Sequence, residues 1–249
     1  VRQDTHTQLI GNSPGISELR DEIARVARSD AKVLITGESG TGKEVVARAI
    51  ATSPATTRAD VFVPVNCAGI AETLLESELF GHVKGSFTGA YRDKPGKLEM
   101  ADNGTLFLDE IGEMTLRMQG LLLRFLETGE IQKVGSERVT NTSNVRIMAA
   151  TNRDLWHLIA QGQFREDLFY RINVIHLVIP PLRERREDIP LLVDHFLTRF
   201  TGQNGHANGN GHTHASPVRA LAPDALTALC TYGWPGNVRQ VENVIERLV

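Results

Sequence analysis

Residues 32–51 read KVLITGESGTGKEVVARAIA, and their order decides the fold. The β-rich run 32–36 stops at a glycine cluster, and 43–51 then read as helix, giving strand, Gly-rich turn, helix. Further strand-like runs lie at 61–65, 105–108, 145–149 and 174–179, with helical stretches such as 116–126 between most of them. This alternation predicts an α/β fold, a parallel sheet flanked by helices. Upstream, Ser13 and Pro14 read as a helix start, after which Ile16, Leu19, Ile23 and Val26 recur at helical spacing. Downstream of Pro180 and Pro181, residues 189–200, 224–230 and 237–249 carry helical patterns and no strand. An α/β subdomain over 1–182 and a small all-helical subdomain over 183–249 are therefore expected.

Composition narrows the function classes. The chain has 249 residues, 41% of them hydrophobic, enough to bury a sizeable core. Lys and Arg number 27 against 30 Asp and Glu, for a net charge of -3, so no global basic field draws the chain to nucleic acid. Cys67 and Cys230 are far apart and lack zinc or disulfide-scaffold spacing, which fits a reducing cytoplasm and small buried apolar roles. No run of 18 apolar residues occurs, and the start VRQDTHTQL lacks the pattern of a signal peptide, so no membrane or secreted class is expected. The chain lacks an initiator Met and ends inside an apparent helix, as an excised piece of a larger protein would. The tract 201–216, TGQNGHANGNGHTHAS, is too polar to pack, and the irregular spacing of His206, His212 and His214 reads as a solvated loop rather than a metal site.

Three motifs carry chemistry. Gly37, Glu38, Ser39, Gly40, Thr41, Gly42 and Lys43 fit GxxxxGK between a strand and a helix. In that context glycines let successive amides face phosphates, Lys43 neutralises the outer ones, and the helix N-terminus adds positive potential. The next position, usually a Ser or Thr metal ligand, is Glu44. The apolar strand 105–108 ends in Asp109 and Glu110, which places two carboxylates at the carboxyl end of the sheet. Alone, that pair reads as a solvated turn; beside a phosphate loop, Asp109 suits magnesium and Glu110 suits orienting and deprotonating an attacking water. Asn152 ends another strand, as a turn former or as a donor to the γ-phosphate or the water.

Taken together, these residues resemble an AAA+ ATPase, and two segments narrow the likeness. Residues 76–90, ESELFGHVKGSFTGA, look like the signature of the sigma-54-dependent transcriptional activators, the bacterial enhancer-binding proteins of the NtrC type. Gly85, Ser86, Phe87, Thr88, Gly89 and Ala90 stand for the family's GAFTGA motif, with Ser86 where the family usually has Ala. Residues 164–171, FREDLFYR, are similar to the family's arginine-finger segment, and PLRERRED at 181–188 and WPGNV at 234–238 extend the resemblance over nearly the whole chain.

The resemblance implies that Asn66 holds the catalytic glutamate in an inactive pose, and that Arg165 and Arg171 reach a neighbouring subunit's γ-phosphate. Ordinarily, two arginines six apart belong to a solvated or salt-bridged helix face. It also implies that Arg239 is the sensor arginine of the lid and that Glu44 after the lysine is usual for the group. ATP and magnesium are the implied cofactors, a hexamer or heptamer ring the implied assembly, and sigma-54 RNA polymerase holoenzyme the implied partner of the 85–90 loop. A sensory domain before residue 1 and a DNA-binding domain after residue 249 are implied too, with DNA contacted only through the latter. Phe87, among glycines and without an apolar period, suits a mobile loop that offers an aromatic to a partner, although a lone loop aromatic usually packs back. Two other readings stay open: a general AAA+ unfoldase or remodeller, which the loop motif argues against, and an ATP-sensing regulator without turnover, which Asp109, Glu110 and Asn152 argue against.

Overall fold

The computed structural model describes residues 9–59, 61–139, 141–201 and 221–249. In chain order the elements are α1 (Pro14–Val26), β1 (Val33–Thr36), α2 (Lys43–Ala51), β2 (Phe62–Asn66), α3 (Glu72–Phe80), β3 (Gly81–His82), β4 (Lys94–Pro95), α4 (Lys97–Met100) and β5 (Thr105–Asp109). They continue with α5 (Leu116–Thr128), β6 (Glu130–Ile131), β7 (Asn141–Thr142), β8 (Arg146–Thr151), α6 (Leu155–Ala160), α7 (Glu166–Ile172), β9 (Ile175–Val178), α8 (Ile189–Phe200), α9 (Pro223–Thr231) and α10 (Asn237–Leu248). Two compact units result. One gathers residues up to Asp21, Gly37–Gly42 and Ile179–Val249; the other gathers Glu22–Thr36 and Lys43–Val178.

The second unit is built on a five-stranded sheet in the order β2-β5-β8-β1-β9, with every pairing parallel. Burial follows that order. The three inner strands are buried along almost their whole length, whereas the edge strands β2 and β9 alternate, and Pro64 sits on β2, where the missing amide is tolerated. On one face Leu34, Leu106, Leu108, Ile147 and Ala149 join Leu79 of α3, Met118, Leu122 and Phe125 of α5 and Leu168 of α7 in one core. Helix α2 packs against β1, β5 and β8. A buried cation closes the far end: Arg146, first residue of β8, donates to the Val26 carbonyl at 3.0 Å and the Ala31 carbonyl at 3.2 Å. These bonds fix the connection from α1 to β1. No helix among the described residues is long and apolar enough to cross a membrane.

Two short hairpins interrupt this α/β order. Strands β3 and β4 pair antiparallel, Gly81 with Pro95 and His82 with Lys94, and carry the 83–93 loop. Strands β6 and β7 form the second hairpin. Neither is visible in the sequence patterns, because two-residue strands leave no periodicity.

In the other unit, α8 and α10 pack around Leu182, Ile189, Leu192, Val193, Phe196, Trp234, Val241 and Ile245. Trp234 is buried and its indole donates to the Leu229 carbonyl at 2.7 Å, which fixes the turn between α9 and α10. Most of the tract 201–216, including His206, His212 and His214, lies outside the described residues. Trp234→Ala should cost roughly 3–5 kcal/mol of unfolding free energy, the usual range for emptying a buried aromatic site. Denaturant melting monitored by helix content checks this, and a loss below about 1 kcal/mol would show that Trp234 does not anchor the helical core.

Candidate active site

Because all five strands run parallel, their carboxyl ends share one edge of the sheet. Register sets what meets there: Asn66 lies opposite Asp109, and Thr36 opposite Thr151. Asp109 is partly buried, and its Oδ1 accepts from the Glu110 amide at 3.1 Å. Burial first, and then the neighbouring Glu110 charge, push the Asp109 carboxyl above the usual carboxylate range, with Lys43 opposing them.

Glu110 takes φ 55° and ψ 49°, a left-handed conformation that is uncommon for a residue with a Cβ. The chain thereby leaves β5 in one tight turn over Ile111–Glu113, and the Glu110 carboxylate meets two groups. Its Oε1 stands 3.6 Å from Nζ of Lys43, the buried first residue of α2, and its Oε2 accepts from the Asn152 amide at 3.2 Å. Asn152 thus touches the glutamate through its backbone, while its side chain is exposed. The Asn66 side-chain oxygen accepts from the Ala68 amide at 2.8 Å, and among the described residues no hydrogen bond joins Asn66 to Glu110. Glu44 is exposed and pairs with Arg48 at 3.0 Å, one turn along α2.

The glycine loop 37–42 is braced by residues of its own unit. Gly40 has φ 78°, and a Cβ there would come within 2.4 Å of the Gly236 carbonyl oxygen, so no side chain fits. The Thr41 hydroxyl donates to the Glu38 carbonyl at 2.8 Å, and buried Arg185 donates to the Thr41 carbonyl at 3.1 Å. Asn237 is fully buried with φ 51°. Its amide nitrogen donates to the Ser39 carbonyl at 3.0 Å and to the Glu38 carboxylate at 3.1 Å, while its oxygen accepts from the Leu182 amide at 2.8 Å. Arg183 reaches the same carboxylate at 2.7 Å, and Asn237 with Arg183 hold Glu38 below the usual carboxylate range. Arg239 meets the loop through its backbone amide, 3.3 Å from the Gly40 carbonyl, and its side chain is exposed. Sequence reading missed Asn237, Arg183 and Arg185; their signal lay inside the PLRER and GNV segments, where nothing local ties them to the glycine loop.

Arg165 is the N-cap residue of α7 and Arg171 lies in its last turn, and both are exposed. Arg165 pairs with Asp167 at 2.6 Å, and Arg171 donates to the Leu126 carbonyl at 3.1 Å.

The 85–90 loop is folded on itself. The Gly85 amide donates to the Ala90 carbonyl at 2.8 Å and the Ala90 amide to the Phe87 carbonyl at 3.0 Å. The Phe87 ring is 36% exposed and stands edge-on to buried His82, with centroids 5.0 Å apart. His82 is in turn fixed by the Ser77 hydroxyl at 2.7 Å. Ser86 is half-buried against Gly135, and among the described residues its hydroxyl has no hydrogen-bond partner.

Among the described residues no three His, Cys, Asp or Glu side chains converge as a metal cage. Asp109 beside Glu110 fits a different kind of site, in which one or two carboxylates share a divalent cation with phosphate oxygens, since both burial and mutual repulsion favour a cation there.

Known proteins resemble this chain in sequence and fold. Residues 9–178 match the family described as Sigma-54 interaction domain, and residues 183–249 match the AAA+ ATPase lid domain. The chain is 48% identical over 241 residues to the regulatory protein AtoC of Escherichia coli (strain K12), covering 97% of this chain and 50% of that protein. It is 51% identical over 242 residues to the transcriptional regulatory protein ZraR of Salmonella typhimurium (strain LT2), covering 97% and 52%. The chain thus spans about half the length of the curated relatives it matches. The crystal structure of NtrX from Brucella abortus in complex with ADP superimposes with a TM-score of 0.84 at 39% identity, covering 99% of this chain and 52% of that one. NtrX is also known in complex with ATP. With a family match over most of the sheet unit and a lid match over the rest, this chain belongs to the sigma-54 interaction domain family of AAA+ proteins.

Proposed function

We propose that the chain binds ATP with magnesium, hydrolyses it to ADP and phosphate, and uses the cycle to remodel sigma-54 RNA polymerase holoenzyme. The observation that carries this reading is the strained turn at Glu110, which aims a carboxylate at Lys43 and the Asn152 amide on a sheet edge that also holds Asp109. Strain of this kind gathers at functional sites, because only a surrounding structure that over-determines the geometry sustains it. In this reading 1–182 form the nucleotide-binding subdomain, 183–249 the lid, and the whole protein is cytoplasmic.

Gly37, Glu38, Ser39, Gly40, Thr41 and Gly42 present the cradle for phosphates, and Lys43 moves its charge from Glu110 to the outer phosphates. Asp109 would hold magnesium, which supplies charge neutralisation to the phosphates when bound. Glu110 accepts a proton from the attacking water, which Asn152 helps to place. Asn66, opposite Asp109 on the neighbouring strand, is the group that captures Glu110 in the inactive pose, and Glu44 supports the first turn beside Lys43. Arg239 senses the nucleotide from the lid side. Arg165 and Arg171 act in trans on the γ-phosphate of a neighbouring protomer, in a ring of six or seven. The Gly85, Ser86, Phe87, Thr88, Gly89 and Ala90 loop leaves its folded pose in the cycle and carries Phe87 and Thr88 to sigma-54.

Three variants test the assignments. Glu110→Gln should keep ATP affinity and lower turnover by about 100-fold or more, the usual loss on removing a general base. Turnover within a few fold of the parent sinks the role. Asp109→Asn should raise the thermal midpoint measured at neutral pH without metal or nucleotide, because the ionised form of this carboxylate is disfavoured by burial and by Glu110, while magnesium-dependent hydrolysis is lost. A lower midpoint contradicts the electrostatics. Thr88→Ala should leave ATP turnover nearly intact and abolish binding to the holoenzyme in the presence of a transition-state analogue; retained binding argues against the loop's role.

A further inference from the structure

We propose that Gln119 is a positioning residue for the arginine finger Arg165, an inference that rests on the reading of Arg165 as acting in trans. Gln119 lies in the middle of α5, fully buried, with Met118 and Leu122 of the apolar core on the same helix. A buried amide side chain there is costly unless its hydrogen bonds are made, and an apolar residue of the same volume would fill the space more simply. Gln119 makes its bonds at both ends of one bridge. Its Nε2 donates to the Met114 carbonyl at 2.8 Å and the Gln163 carbonyl at 3.0 Å, and its Oε1 accepts from the Arg165 amide at 2.8 Å.

What those three backbone groups have in common gives the bridge its meaning. Met114 ends the turn that begins at Glu110, with its amide on the Ile111 carbonyl at 3.2 Å. Gln163 and Arg165 form the lead-in to α7, and Arg165 is the N-cap residue of that helix, with no side-chain cap of its own. The Gln119 oxygen holds the amide at the point where the Arg165 side chain leaves the backbone. Beside it the lead-in is held by the Phe164 side chain, buried in the core, and by the Gln163 and Phe164 amides on the Leu158 carbonyl, at 2.9 and 3.2 Å, while the Gln119 bond holds the Arg165 amide itself. Without Gln119, the Arg165 amide loses the bond that sets where its side chain leaves the backbone, while the guanidinium still pairs with Asp167. A finger displaced by about an ångström loses most of its effect, since such misplacement costs up to about 100-fold in rate. The other arm of the bridge ends on the Glu110 turn, so a shift of that turn is passed to the finger offered to the next subunit.

Mixing of inactive variants separates this from a merely local packing role. Gln119→Met, close in volume, should keep nucleotide affinity within about twofold and lower turnover about tenfold or more. Each variant is purified as the full chain and mixed in equal amounts with Lys43→Ala or with Arg165→Ala, and ATP turnover is read. The control pair Arg165→Ala with Lys43→Ala should recover activity, since mixed rings contain a site with an intact lysine faced by an intact finger. If Gln119 acts through the finger, Gln119→Met should be rescued by Lys43→Ala and not by Arg165→Ala. If it serves only the Glu110 turn of its own subunit, the pattern reverses and the proposal is overturned. Parental turnover in Gln119→Met, or any other rescue pattern, also overturns it. Failure of the control pair means instead that Arg165 does not act in trans, and the proposal falls with that reading. Gln119→Asn, one methylene shorter, supplies the same mixing test should the apolar variant not fold.

Discussion

Everything in the sheet unit depends on its strands being parallel. Backbone hydrogen bonds can join β2, β5, β8, β1 and β9 side by side only if each strand returns through a crossover, and the crossovers place every carboxyl end on one edge. Register then fixes neighbours that are distant in the chain: Asn66 with Asp109, and Thr36 with Thr151. A one-residue slip in β5 would turn Asp109 away and bury a charge where Leu108 now packs. The apolar run that makes β5 a central strand is thus also what aims its last residue. The edge that carries Asp109 and Glu110 and the core are two consequences of the same pairing.

Opposed charge refines that edge. Asp109 and Glu110 are adjacent carboxylates, and the left-handed conformation at Glu110 separates their directions, one held by the Glu110 amide and the other turned toward Lys43 and Asn152. Lys43 is buried and Asp109 half-buried, so the pair of acids is tolerated because a cation is close. That balance is easily redistributed when phosphates or a metal enter, which is what a hydrolytic cycle requires. The glycine loop is held by a different set, Asn237, Arg183 and Arg185, whose bonds go to loop carbonyls and to the Glu38 carboxylate.

Legibility in the sequence followed length. Helices of nine residues or more with a clear apolar face, such as α2, α5, α8 and α10, lie where periodicity placed them, and the five sheet strands fall within a residue or two of their apolar runs. The order of strands in the sheet was not legible, because periodicity reports faces and not neighbours. The β3–β4 hairpin was also silent; the loop motif it carries was recognised from its residues, but the contact of Phe87 with His82 could be seen only in the structure. Gln119 is the clearest omission. In sequence it is a polar residue in a helix, indistinguishable from a solvated one, and only burial with three backbone partners reveals its load. Asn237 was hidden in the same way, by partners almost 200 residues away in the chain.

The central claim is that hydrolysis at the Glu110 edge is converted into remodelling of one particular polymerase. It is tested most directly by following promoter melting by sigma-54 holoenzyme, with the purified chain at high concentration, in the presence of ATP or a non-hydrolysable analogue. A holoenzyme carrying a different sigma factor serves as the comparison. The account predicts melting with ATP and sigma-54 holoenzyme alone, and none with the analogue or the other holoenzyme. Brisk ATP hydrolysis without melting, or equal melting by both holoenzymes, would contradict it.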